Sequence, residues 1–463
     1  MTTDRRALFA AHAYLPQGWQ RDVLLRWNDE GVLTAVSAAT RAPADVACAR
    51  GPIIPGMPNL HSHAFQRAMA GLVEYRAQAS DTFWSWRDLM YRFAARMTPE
   101  RIEAIARWLY VEMLKAGYTS VCEFHYVHHQ GDGTHYPNVA ELAQRVVGAA
   151  SQAGLGMTML PVLYEYSGFG MREPRADQRR FLNTPDTLLD LLTVLRRAWP
   201  EHGALKYGVA PHSLRAVSEA SLKTLLAALN VDFRGAPVHI HIAEQTGEVD
   251  ECIAVTGARP VAWLLDRVGV DARWCLVHAT HVDAAETTAL AASGAVVGLC
   301  PTTEANLGDG LFPAQAYLEA GGRIGVGSDS HIAVDWRSEL RLLEYGQRLA
   351  QRQRNVLASE ARSQVAERLF QAALSGGAQA SGRAIGALAP GYRADWLVLD
   401  PEHPSLDGRQ PDSWLAAIVF CEHGGSPIVD VCTGGRCVVE DGRHEGEAAA
   451  YAAYRKAAAE LLA

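Results

Sequence analysis

Pro237-Val238-His239-Ile240-His241-Ile242-Ala243-Glu244 is a short β-branched run that delivers a histidine near its end and a carboxylate three residues later. Val and Ile favour extended backbone, and a short run without polar residues on one side suits a strand covered on both faces. Similar runs recur before it at 51–58, 119–123, 156–163 and 206–211, and after it at 274–279, 295–300 and 323–328. Longer helical patterns lie between them, for example at 99–116, 217–229 and 283–292. Eight such strands, each followed by a helical region, predict an α/β fold with a closed (β/α)8 TIM-type barrel.

The two ends of the chain read differently. Stretches at 22–27, 394–399, 418–421, 429–432 and 436–439 look like β-structure without crossover helices, separated by Gly- and Pro-rich turns. Both ends are expected to pair into one small β-sandwich. The expected domains are therefore a sandwich of residues 1–54 plus 384–463, closed by an Ala-rich helix over 445–463, and a catalytic barrel of residues 55–383.

The 463 residues are 49% hydrophobic and 20% charged, which excludes disorder as a description of the whole chain. A net charge of -8 offers no hold on a phosphate backbone, so no nucleic-acid partner is expected. No stretch reaches the roughly 18 uninterrupted apolar residues that a membrane span needs. His12 and Pro16 break the N-terminal apolar run, which argues against a signal peptide. Eight cysteines form no C-x-x-C pair, and Cys122 and Cys300 sit in apolar runs, as reduced core thiols of a cytoplasmic protein would. Oligomeric state is not legible, and a homodimer stays open.

In a β/α barrel the chemistry sits where the strands end. The first strand ends in Pro58-Asn59-Leu60-His61-Ser62-His63. Residues i and i+2 of an extended segment point the same way, so His61 and His63 can share one ion. The fifth strand delivers His241, while His239 faces the same side about 6–7 Å deeper and reads as a core histidine. The sixth delivers His278 and the eighth Asp329. His, His and Asp or Glu on distant strands are the ligand set of a catalytic zinc with an open position, and without Cys they do not suit a structural zinc. Glu244, just beyond the fifth strand, can reach a water at such an ion.

These residues resemble the amidohydrolase superfamily, in which a barrel carries one or two metals and a small sandwich is often built from both chain ends. The resemblance covers nearly the whole chain, including the closing turn at 433–442. It implies a zinc site of His61, His63, His241 and Asp329. Binuclear members usually place a bridging Lys after the fourth strand. Here that end reads Val209-Ala210-Pro211-His212-Ser213, and Lys206 begins the strand instead, so one zinc per chain is expected. The His-x-x-Glu step of His241 and Glu244 is similar to that of the deaminase branch. Within it, the segments at 57–72, 84–87, 123–126, 210–215 and 300–306 resemble the formimidoylglutamate deiminases. By that resemblance, Gln66, Arg87, Tyr126, His212 and Arg215 contact the substrate, a small dicarboxylate.

The implied reaction is hydrolytic deimination of N-formimino-L-glutamate to N-formyl-L-glutamate and ammonia. Glu244 carries the proton, with His278 and Asp329 assisting deprotonation of water. Arg suits the carboxylates because its planar fork matches them, though Arg67 and Arg92 are alternative cations. Trp84, Trp86 and Tyr126 keep open a second reading, a zinc deaminase of a nucleobase, nucleoside or other ring amidine. A third is a non-catalytic scaffold, against which every ligand and the acid/base are present. The sequence leaves open whether the loop 165–186 closes over the substrate.

Overall fold

The computed structural model describes residues 4–39, 41–72, 74, 83–421 and 425–463, with the side chains of residues 4, 5 and 83–85, and so of Trp84, outside that description. Its centre is a ring of parallel strands. In order they are Met57–Ser62, Tyr118–His125, Gly156–Leu163, the broken strand Leu205–Tyr207 with Ala210–Pro211, Val238–Ile242, Trp274–His278, Val296–Leu299 and Arg323–Val326. Consecutive strands pair within two four-membered arcs. Parallel bridges Val209 to Val238 and Ser213 to His241 join the arcs on one side, and Ser62 to Asp329 closes the ring on the other. The second, third, fifth and sixth strands are buried along their whole length, as continuous apolar runs predict.

The fourth strand breaks at Gly208. A Cβ there would stand 2.4 Å from the Pro237 carbonyl oxygen, so only glycine allows this close approach to the fifth strand. The helices at Pro99–Lys115, Glu219–Asp232 and Ala284–Ser293 lie within one to three residues of the expected ranges. Thr98, Ser218 and Asp283 start them, each accepting a backbone N–H with its side chain.

Both chain ends join one nine-stranded sheet. Ile53–Pro55 is the hinge between the halves, pairing in parallel with Asp4–Leu15 and antiparallel with Trp396–Leu399. The single strand expected over 51–58 is therefore two: 53–55 in the terminal sheet and 57–62 in the barrel. The β-stretch expected at 418–421 is also corrected, because it ends the helix Pro411–Phe420. Pro411 opens that helix, and Trp414, Leu415, Ile418 and Val419 are buried on it. An apolar run this short has no period that separates a buried helix from a strand. Helix Glu447–Leu462 closes the chain.

Cys122 and Cys300 are buried and free, as expected. Cys432 and Cys437 instead face each other across a hairpin and form a disulfide, a pairing set by strand register that their spacing alone did not reveal. Among the described residues, no helix is long and apolar enough to cross a membrane.

Candidate active site

Four strand ends converge at one mouth of the barrel, and three of them turn through left-handed backbone. Ala243 (φ 50), His278 (φ 68), Ala279 (φ 48) and Asp329 (φ 45) all lie there, a conformation uncommon for residues with a Cβ and concentrated at functional sites. The side chains that follow meet in a buried cluster.

The His61 Nε2 atom is 3.1 Å from His63 Nε2 and 3.0 Å from His241 Nε2. Asp329 Oδ1 is 3.5 Å from His61 Nε2 and 3.4 Å from His63 Nε2. His63 Nδ1 donates to the Phe124 carbonyl at 2.9 Å, and His241 Nδ1 to the His212 carbonyl at 3.2 Å. Both tautomers are thereby fixed with the Nε2 lone pair pointing inward. His61 can donate to one of these two nitrogens, not both, so the remaining lone-pair contact is repulsive unless a cation lies between them. Four donors at tetrahedral corners, each about 2.0–2.1 Å from zinc, would stand roughly 3.3 Å apart. The spacing fits. Burial pushes His61 down to about 3 and also lowers His63 and His241, so all three stay neutral, as ligands must. Burial raises the Asp329 carboxyl, but its hydrogen bond to His61 and the influence of His61, His63 and His278 outweigh this and hold it below the usual range.

His278 differs from the other three. Its Nε2 lies 3.7 Å from Glu244 Oε1 and 3.8 Å from Asp329 Oδ2, and its Nδ1 donates to Glu304 Oε1 at 3.2 Å. Burial lowers it, yet Glu244, Glu304 and Asp329 together raise it to about 10. A protonated imidazole is a proton donor rather than a ligand, although His278 stands close enough to His61 and His241 to join a metal group. Burial raises Glu244 to about 7 against the opposing pull of His278 and Arg215. A carboxyl poised near neutrality can accept a proton and return it.

The cluster opens on a pocket lined by Gln66, Arg87, Tyr126, His212 and Arg215, together with Glu244, His278 and Asp329. The structure thus brings every site residue expected from the sequence to one place. Gln66 donates through Nε2 to the Tyr126 hydroxyl at 2.8 Å. Arg67 is engaged elsewhere by Glu112, at 2.7 Å from Nε, and Arg92 is not among the lining residues. His239 Nε2 donates to the Ala380 carbonyl oxygen at 2.8 Å, deep below the pocket, as a core histidine.

Other residues had no assigned role in the sequence reading. Tyr91 and Tyr164 line the pocket, and their hydroxyls both accept from Gln178 Nε2, at 3.0 and 2.8 Å. Gln178 and the lining residue Phe181 make the loop 165–186 part of the pocket wall. Tyr91 stands four residues after Arg87 on the helix Phe83–Ala95, a spacing that places both on one face. Glu304, in the segment 300–306, accepts from His278 Nδ1 and from the Cys300 N–H at 2.8 Å. Glu123 is buried beneath the first strand's end, accepting from Ala64 N at 2.6 Å, Ser62 Oγ at 2.7 Å and Tyr110 Oη at 3.1 Å. It pins Ser62 and Ala64, the residues on either side of His63.

The sequence pattern of the Amidohydrolase family matches residues 53–438. The chain belongs to the amidohydrolase family. It is 52% identical over 456 residues to the formimidoylglutamate deiminase of Pseudomonas aeruginosa, an alignment spanning 98% of this chain and 99% of that one. A solved amidohydrolase from Brucella melitensis superposes with a TM-score of 0.93 at 46% identity, covering 99% of this chain and 100% of that chain. An adenosine deaminase from Xanthomonas campestris, solved with bound zinc, shares the fold with a TM-score of 0.79 at 21% identity, over 98% of each chain.

Proposed function

We propose that the protein hydrolyses N-formimino-L-glutamate to N-formyl-L-glutamate and ammonia, as a deiminase of histidine degradation. The observation that carries this reading is Arg87 and Arg215 lining the same pocket as Glu244 and the donor cluster. Two guanidiniums suit a substrate with two carboxylates, and the 52% identical relative is a formimidoylglutamate deiminase.

The donor set of His61, His63, His241 and Asp329 suits one zinc, which supplies Lewis-acid activation of water. His212, not Lys, follows the fourth strand, which favours a single ion. Arg87 and Arg215 hold the carboxylates, and Gln66, Tyr126 and His212 orient the formimidoyl group. Glu244 takes a proton from water as its oxygen bonds to the formimidoyl carbon. The same carboxyl passes that proton to the terminal nitrogen, then takes the proton of the added hydroxyl and delivers it to the same nitrogen as the C–N bond breaks, so that the formyl C=O forms and ammonia leaves. The imidazolium of His278 steadies the charge on the adding oxygen, and the Asp329 carboxylate assists deprotonation of the water.

The finer assignments belong to the same reading. They are a β-sandwich of residues 1–54 plus 384–463 beside a barrel of 55–383, a cytoplasmic location and, as an open option, a homodimer. The sandwich is supported by Trp27 and Trp396, whose ring centroids are 5.2 Å apart although two strands of the sheet separate theirs. Such a contact requires the sheet to curl over. Ammonia release tests the activity: formiminoglutamate is expected to react, whereas guanine, cytosine and adenosine are not. Release from a ring amidine and none from formiminoglutamate would overturn the substrate.

A further inference from the structure

Glu248 follows Glu244 by one helical turn and, read in sequence, is one of several acids in a surface loop. The structure buries it to 1% exposure at the third position of the helix Thr246–Thr256. Its Oε2 accepts the backbone N–H of Glu244 at 3.1 Å. Its Oε1 lies 3.9 Å from Nε of Arg215, which is itself 8% exposed.

The first contact is that of a carboxylate at the third position of a helix reaching back to cap its entry, which glutamine performs equally well. It also pins the turn that Ala243 makes at φ 50, and so the base of the Glu244 side chain. The second contact needs a charge. A buried carboxylate costs several kcal/mol of desolvation unless a cation faces it. Arg215 is that cation, and it also feels Glu244, the weaker of the two carboxylate influences upon it. The guanidinium therefore faces Glu248 and also feels Glu244, two carboxylates that have opposite requirements. If it paired with Glu244, the proton carrier would be locked ionised and occluded.

We infer that Glu248 is a positioning residue: it holds the Arg215 guanidinium away from Glu244 and aimed for a substrate carboxylate, while fixing the turn that presents Glu244. This deepens the proposed deiminase reading and takes its substrate from it. Substrate then meets an arginine already ionised and placed, and a Glu244 free to titrate.

The test uses zinc-loaded E248Q, which keeps the capping acceptor and removes the charge. Its zinc content is expected to match the wild type, while kcat on formiminoglutamate falls roughly tenfold or more. The double variant with Arg215→Met should then recover kcat above that of E248Q alone, with KM remaining high, because the misplaced guanidinium is gone. A purely structural role for Glu248 gives losses that multiply, and that result would overturn the inference. A substrate-free crystal structure of E248Q provides an arm independent of turnover: Arg215 is expected within 4 Å of the Glu244 carboxylate, and an unmoved guanidinium refutes the inference. Glu248→Met, which likewise removes the charge at similar length, replaces E248Q in both arms if the Gln variant does not fold. It should show a comparable kcat loss, again relieved by Arg215→Met. Wild-type protein inactive on formiminoglutamate would overturn the substrate assignment, leaving the crystallographic arm to judge Glu248 alone.

Discussion

Replacing Glu244 with Gln separates proton transfer from metal binding, because the two carboxyl-like groups have nearly the same shape and only one titrates. Glu244 is 5% exposed, and burial raises it to about 7. The sign follows from that direction. The proton-accepting form grows as pH rises through neutrality, so kcat/KM of the wild type should climb along a limb displaced well above the ordinary carboxylate range. E244Q has no such group and should lack the limb. General acid–base catalysis by a positioned side chain contributes about 10²–10⁴-fold. At 1.36 kcal/mol per decade, this is roughly 2.7–5.4 kcal/mol of barrier. The loss should appear in kcat. His61, His63, His241 and Asp329 are untouched, so zinc content by elemental analysis should equal that of the wild type. Ammonia release from formiminoglutamate, measured from pH 5 to 9, reads both effects. Turnover within tenfold of the wild type at full zinc occupancy would refute the assignment and move the proton carrier to His278.

The other expectations concern the ligands, the arginines and the support beneath them. Elemental analysis after chelation and zinc reloading should approach one equivalent per chain, with activity rising in step, and a need for two would overturn the single-ion site. His61→Ala and Asp329→Ala should lose most of the metal together with the activity. Arg87→Met and Arg215→Met should each lower kcat/KM on the dicarboxylate by about 30- to several-thousand-fold, corresponding to 2–5 kcal/mol for one side of a desolvated charge pair. Their zinc content should be unchanged, and a retained strong preference for the dicarboxylate would show that the carboxylates bind elsewhere. Glu123→Ala leaves the Ala64 N–H and two hydroxyls without their acceptor, at about 1–3 kcal/mol for each group left buried and unsatisfied. A lower melting temperature and faster zinc loss to a chelator should follow, and neither would change if Glu123 were unimportant to the ligand segment.

The strand ends were legible because barrel topology gives them a common direction, so His61, His63, His241, His278 and Asp329 could be gathered from residues far apart in sequence. The substrate contacts needed more than physics: Arg87 and Arg67 look alike in sequence, and only the resemblance separated them before the structure placed Arg67 against Glu112. Burial of charge was the least legible feature. Nothing in the spacing distinguishes Glu248 from the exposed acids around it, because the cation that compensates it comes from another strand end. The helix at 411–420 and the Cys432–Cys437 pair were missed for related reasons, since packing partners and strand register are properties of the whole fold.

The hinge strand Ile53–Pro55 also constrains when the molecule can be finished. One of its edges pairs with the opening strand, but the other waits for Trp396–Leu399, which a ribosome reaches about 340 residues later. At roughly 5–20 residues per second, this is an interval of about 20–70 s. Throughout it, the nascent chain carries an unpaired edge flanked by apolar side chains, a template for association with its neighbours. The barrel can close during that interval, whereas the terminal sheet cannot. Faulty assembly during synthesis should therefore begin at this edge, and slowing translation should aggravate it rather than relieve it.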